Sequence, residues 1–296
     1  VIPAVAETVD ADRVVWNHDY SGLAEERDEA VRAALDEDGV AHDQYHDAVH
    51  YRPGAIRTNA GDPYSVYTYF WKKWRDREKD DPAPEPEAAA LVDPGPVDGV
   101  EGGTVPTLDD LGFDDPEADV PAAGTERARA LLEDFCDEDV YRYADRRDYP
   151  ADGTTSRLSP HLKFGTIGVR EVYERAQAAR ANAESDAERE SVEEFVGQLA
   201  WREFYTQVLY FDQRVVTENY KDYEHPIEWR DDPEALQAWK DGETGYPIVD
   251  AGMRQLREEA FVHNRVRMIV AAFLTKDLLV DWRAGYDWYR EKLADH

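Results

Sequence analysis

Apolar residues recur every three or four positions through most of the second half of the chain, which is the spacing of one buried face of a helix. The pattern is plain in residues 126–140, 191–211, 247–260 and 262–282. In residues 191–211 the apolar positions are Val192, Phe195, Val196, Leu199 and Val208. Residues 169–181 are more polar and predict a solvent-facing helix. We therefore expect a mainly α-helical domain from about residue 126 onward.

The first fifty residues carry a different pattern. A β-branched run, Arg13–Asn17, predicts a strand, and the following segment predicts a helix that ends at Gly39. A single strand cannot form a parallel sheet, so we expect its partner strands to lie before residue 1. This part of the chain is thus predicted to be a fragment of an α/β domain.

A third pattern separates these two parts. An aromatic, locally basic segment predicts a helix over Tyr64–Arg75, and residues 80–124 are rich in Pro, Gly and Asp, as is typical of a connector. The predicted division is therefore an α/β fragment over residues 1–52, a partly helical connector over residues 53–125, and a helical domain over residues 126–296.

Charge changes what partners can be expected. The chain has 65 acidic and 34 basic residues, a formal net charge of −31, and its acids are spread along the whole length. Such a surface is typical of adaptation to a salt-rich cytoplasm and repels a polyanion, so any contact with nucleic acid must come from a local basic island. The single cysteine, Cys136, excludes an internal disulfide. No apolar run of about 18 residues and no signal-peptide pattern is present, so we expect a cytoplasmic protein that does not enter a membrane.

One basic island stands out in residues 258–274, EEAFVHNRVRMIVAAFL. Its polar residues are His263, Asn264, Arg265 and Arg267, and an apolar run follows at once. On a helix Asn264, Arg267 and Met268 share one face. Arginine presents a fork of donors that matches phosphate or carboxylate oxygens, although solvated arginines at a helix N-terminus are the ordinary alternative.

Two further stretches carry candidate chemistry. Trp201 and Arg202 follow Gln198 by one helical turn, so a planar ring stacked on the tryptophan would meet polar groups at its edge; a core tryptophan is the alternative. Residues 153–159, GTTSRLS, bring hydroxyls, backbone amides and an arginine to the start of a short helix, for which Ser159 is the predicted N-cap and Gly165 the predicted end. That combination suits a pyrophosphate, although a Ser/Thr-rich turn is more often a helix cap.

Five motifs in order then resemble a known family. They read GDPYSVYTYFWKKW, TSRLSPHLKFG, WREFY, WKDGETGYPIVDAGMRQL and HNRVRMIVAAFLTKDLLVDWR, and they are similar to segments of the photolyase/cryptochrome family. Within that family the chain most resembles class I cyclobutane pyrimidine dimer photolyases. The resemblance is continuous from about Tyr141 to Asp295 and weaker before that.

The resemblance implies a fold and a cofactor. The fold would be a partial Rossmann-like α/β antenna domain followed by a mainly α-helical FAD-binding domain, with FAD and no metal as cofactor. The FAD-contacting positions would be Tyr143, Thr155, Ser156, Arg157, Leu158, Ser159, Phe195, Gln198, Arg202, Arg267 and Asp295. A second, antenna chromophore is left open, because the Asn-Glu pair that holds folate in some members is not matched; a deazaflavin or no antenna are the alternatives.

The resemblance also implies a partner and a reaction. UV-damaged DNA would be bound by Arg147, Gln198, Trp201, Asn264, Arg265 and Met268, with Trp201 stacked on the flipped lesion and Arg267 turned inward toward the flavin and Asp295. Light-excited reduced FAD would pass an electron to the pyrimidine dimer and receive it back. Trp229 and Trp282 match two members of the family's electron-transfer chain. We expect a monomer.

Three departures from the family pattern matter: the residue at position 198, the position of the sheet's first strands before residue 1, and the family's flavin segment beyond residue 296. Gln198 stands where dimer photolyases usually carry Glu, which is similar to (6-4) photolyases and animal-type cryptochromes. A signalling cryptochrome without repair is a second alternative. The family's Asn-rich flavin segment and third electron-transfer tryptophan fall beyond residue 296, so we expect a chain of this extent to bind FAD poorly and to be inactive unaided.

Overall fold

The computed structural model describes residues 2–84, 87 and 104–296. Two strands are described, β1 (Arg13–Asn17) and β2 (Ala41–Tyr45). The α-helices are α1 Ile2–Thr8, α2 Gly22–Asp38, α3 Tyr67–Arg75, α4 Thr125–Asp137, α5 Tyr143–Arg146, α6 Ser159–Phe164, α7 Val169–Asn182, α8 Asp186–Phe211, α9 Pro233–Asp241, α10 Pro247–Glu259, α11 Asn264–Ala272 and α12 Trp282–Lys292. A π-helical turn, Phe273–Asp277, follows α11.

The chain divides into two compact units. Unit 1 comprises Val1–Phe113, Gly168–Glu174 and Gly197–Val216, and unit 2 comprises Asp114–Ile167, Arg175–Val196 and Thr217–His296. Part of the predicted connector, residues 85, 86 and 88–103, lies outside the described residues. Its described C-terminal part, residues 104–124, contains a short 3-10 turn at Asp109–Leu111.

The strand β1 has the predicted bounds, but the prediction that it is the single strand of this part of the chain is wrong, because one of its partners lies after it; partner strands before residue 1 stay a prediction. Strand β2 pairs with it in parallel, Arg13 opposite Ala41 and Asn17 opposite Tyr45. The sequence of β2, AHDQY, is too polar to predict a strand. Its polarity is accommodated because the buried Asp28 of α2 accepts hydrogen bonds from Gln44 Nε2 at 2.8 Å and from Trp16 Nε1 at 3.0 Å.

A buried carboxylate holds three segments of unit 1 together. Glu203 of α8 is 1% exposed and accepts hydrogen bonds from the backbone N–H of His50 (2.9 Å), the backbone N–H of Tyr51 (3.2 Å) and Trp74 Nε1 (3.0 Å). Trp74 is the buried end of α3, which begins at Tyr67 rather than at the predicted Tyr64. Burial raises the pKa of Glu203 to about 7, although the three N–H donors and the charge of Lys79 each act to lower this pKa.

The core of unit 2 lies among α9, α10, α11 and α12. Its buried apolar residues are Trp239, Val249, Met253, Leu256, Val262, Val266, Val270, Phe273, Leu274 and Val280. The indole N–H of Trp239 donates to the Val270 carbonyl at 3.0 Å. Gly252 lets α10 approach α11 closely, because a Cβ at that position would overlap Val266 Cγ1.

Two helices depart from their predicted form. α7 was expected to face solvent, yet Val172, Ala176 and Ala179 are fully buried, since small alanines allow close packing on one face. α6 ends at Gly165 as predicted, with φ 67°, but Ser159 is its first residue and Leu158 is the N-cap. Among the described residues, no helix is both long and apolar enough to span a bilayer.

Candidate functional site

The predicted pyrophosphate segment forms an open turn in unit 2 that leads into α6. Thr154 Oγ1 is buried and has no hydrogen-bond partner, and Thr155 and Ser156 are only partly exposed. Arg157 adopts a left-handed conformation with φ 50°, which is unfavourable for a residue with a side chain. A buried hydroxyl without a partner and an arginine in an unfavourable backbone conformation are the two features of this turn that a bound ligand would account for.

The Phe261 ring joins this turn to the basic island. The Arg157 guanidinium lies 4.4 Å from the Phe261 ring centroid and also pairs with Glu259. The Arg267 guanidinium lies 6.0 Å from the same centroid, and its Nη2 donates to both carboxylate oxygens of Asp295 at 2.8 Å. The pairing of Arg267 with Asp295 that the resemblance implies is therefore present. The guanidinium groups of Arg157 and Arg267 therefore converge on one aromatic ring.

The remaining cofactor-binding candidates of unit 2 pack with one another. Tyr143 and Phe195 lie 5.6 Å apart between ring centroids, and Phe135 lies 4.7 Å from Phe195. Ser191 Oγ donates to the Val140 carbonyl at 2.8 Å and so fixes α8 against the turn that carries Tyr143. Burial raises the pKa of the Tyr143 hydroxyl.

The predicted DNA-contacting residues of unit 2 lie at the start of α11 and in the turn after α5. Asn264 and Met268 are both exposed, Met268 by 56%. His263 is the N-cap of α11, because its Nδ1 accepts from the Arg265 backbone N–H at 3.1 Å. Asp148 accepts from Arg265 Nη2 at 2.7 Å and thereby brings the turn that carries Arg147 to α11.

Each arginine of unit 2 that was predicted to contact an anion already has a carboxylate partner. The pairs are Arg147–Glu194, Arg157–Glu259, Arg265–Asp148 and Arg267–Asp295. Sequence reasoning missed the first three acidic partners, because nothing local distinguishes them from the other acids of the chain. A ligand phosphate would therefore have to share or displace a carboxylate.

The other candidates, Gln198, Trp201 and Arg202, belong to unit 1. Trp201 stacks face to face on Tyr67, with ring centroids 3.5 Å apart and ring planes inclined by 9°. Arg202 is partly buried within this unit and donates to the Ala48 carbonyl, and desolvation lowers the pKa of its guanidinium. The contacts of Trp201 and Arg202 with lesion or cofactor stay predictions.

The electron-transfer candidates are both partly buried in unit 2. Trp282 Nε1 donates to Asn219 Oδ1 at 2.8 Å, and the Arg283 guanidinium lies 4.8 Å from the Trp282 ring. Within the residues that the structure describes, no ring contact joins Trp229 to Trp282. Their role in electron transfer stays a prediction.

A cavity of about 480 Å³ lies in unit 1 at the carboxyl ends of β1 and β2. That edge of a parallel sheet is where ligands commonly bind in α/β domains. The cavity is lined by His18, Gln44, His46, Arg52, Pro53, Gly54, Arg57 and Tyr210. His18 Nδ1 is buried without a partner, and burial lowers the pKa of His46, whose Nδ1 lies 2.9 Å from the Tyr20 hydroxyl.

Comparison with known proteins matches both ends of the chain to one family. Residues 1–87 match the family described as DNA photolyase, and residues 195–296 match the FAD binding domain of DNA photolyase. A deoxyribodipyrimidine photo-lyase of Halobacterium salinarum is 71% identical over 303 residues, which cover 100% of this chain and 61% of that protein.

Solved structures agree with this assignment. A bacterial class III photolyase from Agrobacterium tumefaciens superposes with a TM-score of 0.85 at 33% identity, covering 99% of this chain and 60% of the other. An archaeal photolyase from Sulfolobus tokodaii with two FAD molecules gives a TM-score of 0.75 at 30% identity, covering 99% and 61%. The chain thus spans about three fifths of the length of these relatives. Its closer likeness to class I enzymes stays a prediction. The chain belongs to the DNA photolyase family.

Proposed function

We propose that this chain is the part of a photolyase that binds FAD and damaged DNA, and that the protein repairs cyclobutane pyrimidine dimers in a light-driven reaction. The observation that carries the proposal is the convergence of Arg157 and Arg267 on Phe261, together with the unpartnered hydroxyl of Thr154 in the turn that carries Arg157. This convergence involves the region that matches the photolyase FAD binding domain, and the Halobacterium relative is named a deoxyribodipyrimidine photo-lyase.

The residues of this turn fit the polar part of FAD. Thr154, Thr155 and Ser156 supply hydroxyl donors, and the two nearby arginines supply positive charge for a pyrophosphate. Reduced FAD, when bound, supplies the excited electron that opens the cyclobutane ring and is then returned. Asp295, 4% exposed in its side chain, keeps the Arg267 guanidinium fixed, so that its orientation does not have to be selected when the cofactor binds.

DNA would be bound by the exposed start of α11. Asn264 and Met268 are open to solvent, and Arg147 and Arg265 lie beside them with partly exposed carboxylate partners. Ion pairs of this exposure contribute little, about 0 to 1 kcal/mol, so a phosphate can replace the carboxylate. In unit 1, Trp201 would stack on the extruded lesion.

The cavity of unit 1 is proposed to hold a second chromophore, within a Rossmann-like antenna domain of which unit 1 forms part. Arg52, Arg57 and two histidines line it, which favours a ligand that carries acidic or phosphate groups. The absorbance and mass of the chromophore released from the purified full-length protein distinguish a deazaflavin, a folate and a flavin nucleotide.

The decisive experiment is illumination of the full-length protein with an oligonucleotide that contains one cyclobutane thymine dimer, in concentrated salt. Recovery of intact thymines under light, and none in the dark, is expected. A second oligonucleotide with a (6-4) lesion tests the alternative raised by Gln198. Normal flavin photoreduction without recovery of either lesion would reject repair and favour a signalling photoreceptor. The proposal also includes a monomer in a salt-rich cytoplasm, and size-exclusion chromatography with light scattering checks the monomer.

A further inference from the structure

Trp201 is enclosed by aromatic side chains of unit 1. Tyr67 covers one face at 3.5 Å, while Phe204, 6% exposed, meets the edges of both rings at 5.8 and 5.9 Å. Tyr205 lies at 5.6 Å, inclined by 21°, and is 62% exposed. Trp201 nevertheless keeps part of its own surface open to solvent.

The close stack between Tyr67 and Trp201 is imposed by its surroundings. Aromatic pairs ordinarily avoid full face-to-face overlap and keep their centroids about 4.5 to 7 Å apart. Here the Tyr67 hydroxyl donates to the Gly197 carbonyl at 2.8 Å. Gly197 lies one helical turn before Trp201 in α8, so the same carbonyl is also the helical acceptor for the Trp201 backbone N–H. The hydroxyl bond therefore ties Tyr67 to the turn of helix that carries Trp201.

Tyr67 is also supported on the side of its own helix. Trp71 stacks one turn along α3, with centroids 6.4 Å apart and planes inclined by 16°, and Trp74 stacks on Trp71 at 5.6 Å. Trp74 is fixed in turn by its hydrogen bond to the buried Glu203. The ring that covers Trp201 thus belongs to a continuous, anchored stack.

We propose that Tyr67 is a positioning residue, which fixes the orientation of the Trp201 ring and closes the face that it covers to a planar base. The inference rests on the proposed function, in which Trp201 stacks on the lesion. A tryptophan that is already held in one orientation loses less conformational freedom when a base stacks on it. Loss of the Tyr67 ring should therefore weaken lesion binding about twofold to tenfold, the cost of ordering one side chain.

Three substitutions on α3 distinguish the effect of the Tyr67 ring from the effect of its hydroxyl and from general effects on the helix. Tyr67→Leu removes the stack, Tyr67→Phe keeps the ring and removes the bond to Gly197, and Tyr69→Leu is the matched control. Tyr69 is 60% exposed on the same helix. Each variant is made in the full-length protein, with circular dichroism in concentrated salt as the check on folding.

The first measurement is acrylamide quenching of Trp201 fluorescence. The chain has eight tryptophans, so the Trp201 signal is obtained by subtracting the spectrum of the same protein that also carries Trp201→Phe. Tyr67→Leu should raise the quenching constant of Trp201, Tyr67→Phe should raise it less because the ring is kept, and Tyr69→Leu should leave it near the wild-type value. An unchanged constant in Tyr67→Leu, or an equal rise in Tyr69→Leu, would overturn the proposal.

The second measurement is the ratio of affinities for a dimer-containing and an undamaged oligonucleotide, taken in the dark. Tyr67→Leu should lower this ratio about twofold to tenfold, while Tyr67→Phe should retain most of it. An unaltered ratio in Tyr67→Leu would overturn the link to lesion binding. If the wild-type protein itself shows no preference for the dimer, the proposed function fails, while the quenching measurement still decides whether Tyr67 fixes Trp201.

Discussion

Replacing Asp148 with Asn tests whether the carboxylate partners of the arginines limit DNA binding. Asp148 pairs with Arg265 at 2.7 Å, and the two side chains are 56% and 41% exposed. When a DNA phosphate replaces Asp148 as the partner of Arg265, the free Asp148 carboxylate attracts a cation from solution while the DNA releases one. The uptake and the release of a cation largely cancel. This contact therefore adds almost nothing to the salt dependence of DNA binding by the wild-type protein.

In Asp148→Asn the cancellation is lost, because asparagine attracts no cation. Each net phosphate contact with duplex DNA contributes about 0.9 to the slope of log K against log salt concentration. A fourfold rise in salt should therefore weaken binding by the variant about 3.5-fold more than binding by the wild-type protein. At the lowest salt in the series the variant should bind more tightly than the wild type.

The assay is fluorescence anisotropy with a labelled undamaged duplex, in the dark, over a fourfold range of KCl. Asp152→Asn is the control, because Asp152 pairs with Arg146 at 2.7 Å in the same turn region and its loss changes the net charge equally. Arg146 is not a predicted DNA contact. Equal slopes for the two variants would show that overall charge, rather than release of Arg265, governs the salt dependence, and would refute the reasoning.

Three further predictions concern stability and cofactor binding. Burial raises the pKa of Glu203 from 4.5 to about 7, so the folded state binds one more proton than the unfolded state between those pH values. The stabilisation that this proton gives the folded state is complete below about pH 4.5. It is lost, by about 3 kcal/mol, as the pH rises to about 7. Glu203→Gln should flatten this fall in urea unfolding between about pH 5 and about pH 8, and an unchanged pH dependence would contradict the assignment. Thr154→Val should lower FAD affinity about threefold to tenfold in a flavin titration. It should not destabilise the apoprotein, because the buried Thr154 hydroxyl has no protein partner. Unaltered FAD affinity would place this hydroxyl away from the cofactor. Gly252→Ala should lower the free energy of unfolding by about 1 to 3 kcal/mol through overlap with Val266, whereas Gly197→Ala, where the nearest atom would be 3.5 Å away, should be neutral; equal thermal stability of the two variants would contradict this.

Local chemistry in the sequence was sufficient for many elements of the fold. The β-branched run at Arg13–Asn17 is a strand with the predicted bounds, and Gly39 and Gly165 end their helices in the left-handed conformation. These features depend on a residue's own backbone preferences and on side-chain periodicity, both of which are legible along the chain.

Strand β2 could not be predicted in the same way. Its residues prefer neither burial nor a strand by themselves, and they pair with β1 because Asp28 and Gln44 satisfy each other across the gap between α2 and the sheet. A polar strand is stabilised by partners that are distant in sequence, so its own composition carries no signal.

The candidate site shows the same division. The sequence named the arginines, the hydroxyl-rich turn and Trp201, because those residue types and their order resemble a family. Only the tertiary structure decided which three of 65 acids, Asp148, Glu194 and Glu259, neutralise those arginines alongside the expected Asp295. It also decided that Tyr67 lies against Trp201, with its hydroxyl bonded to a carbonyl 130 residues away. Residue types fix what a group can bind, whereas the fold selects which groups lie within bonding distance, and contact energies exist only at that distance.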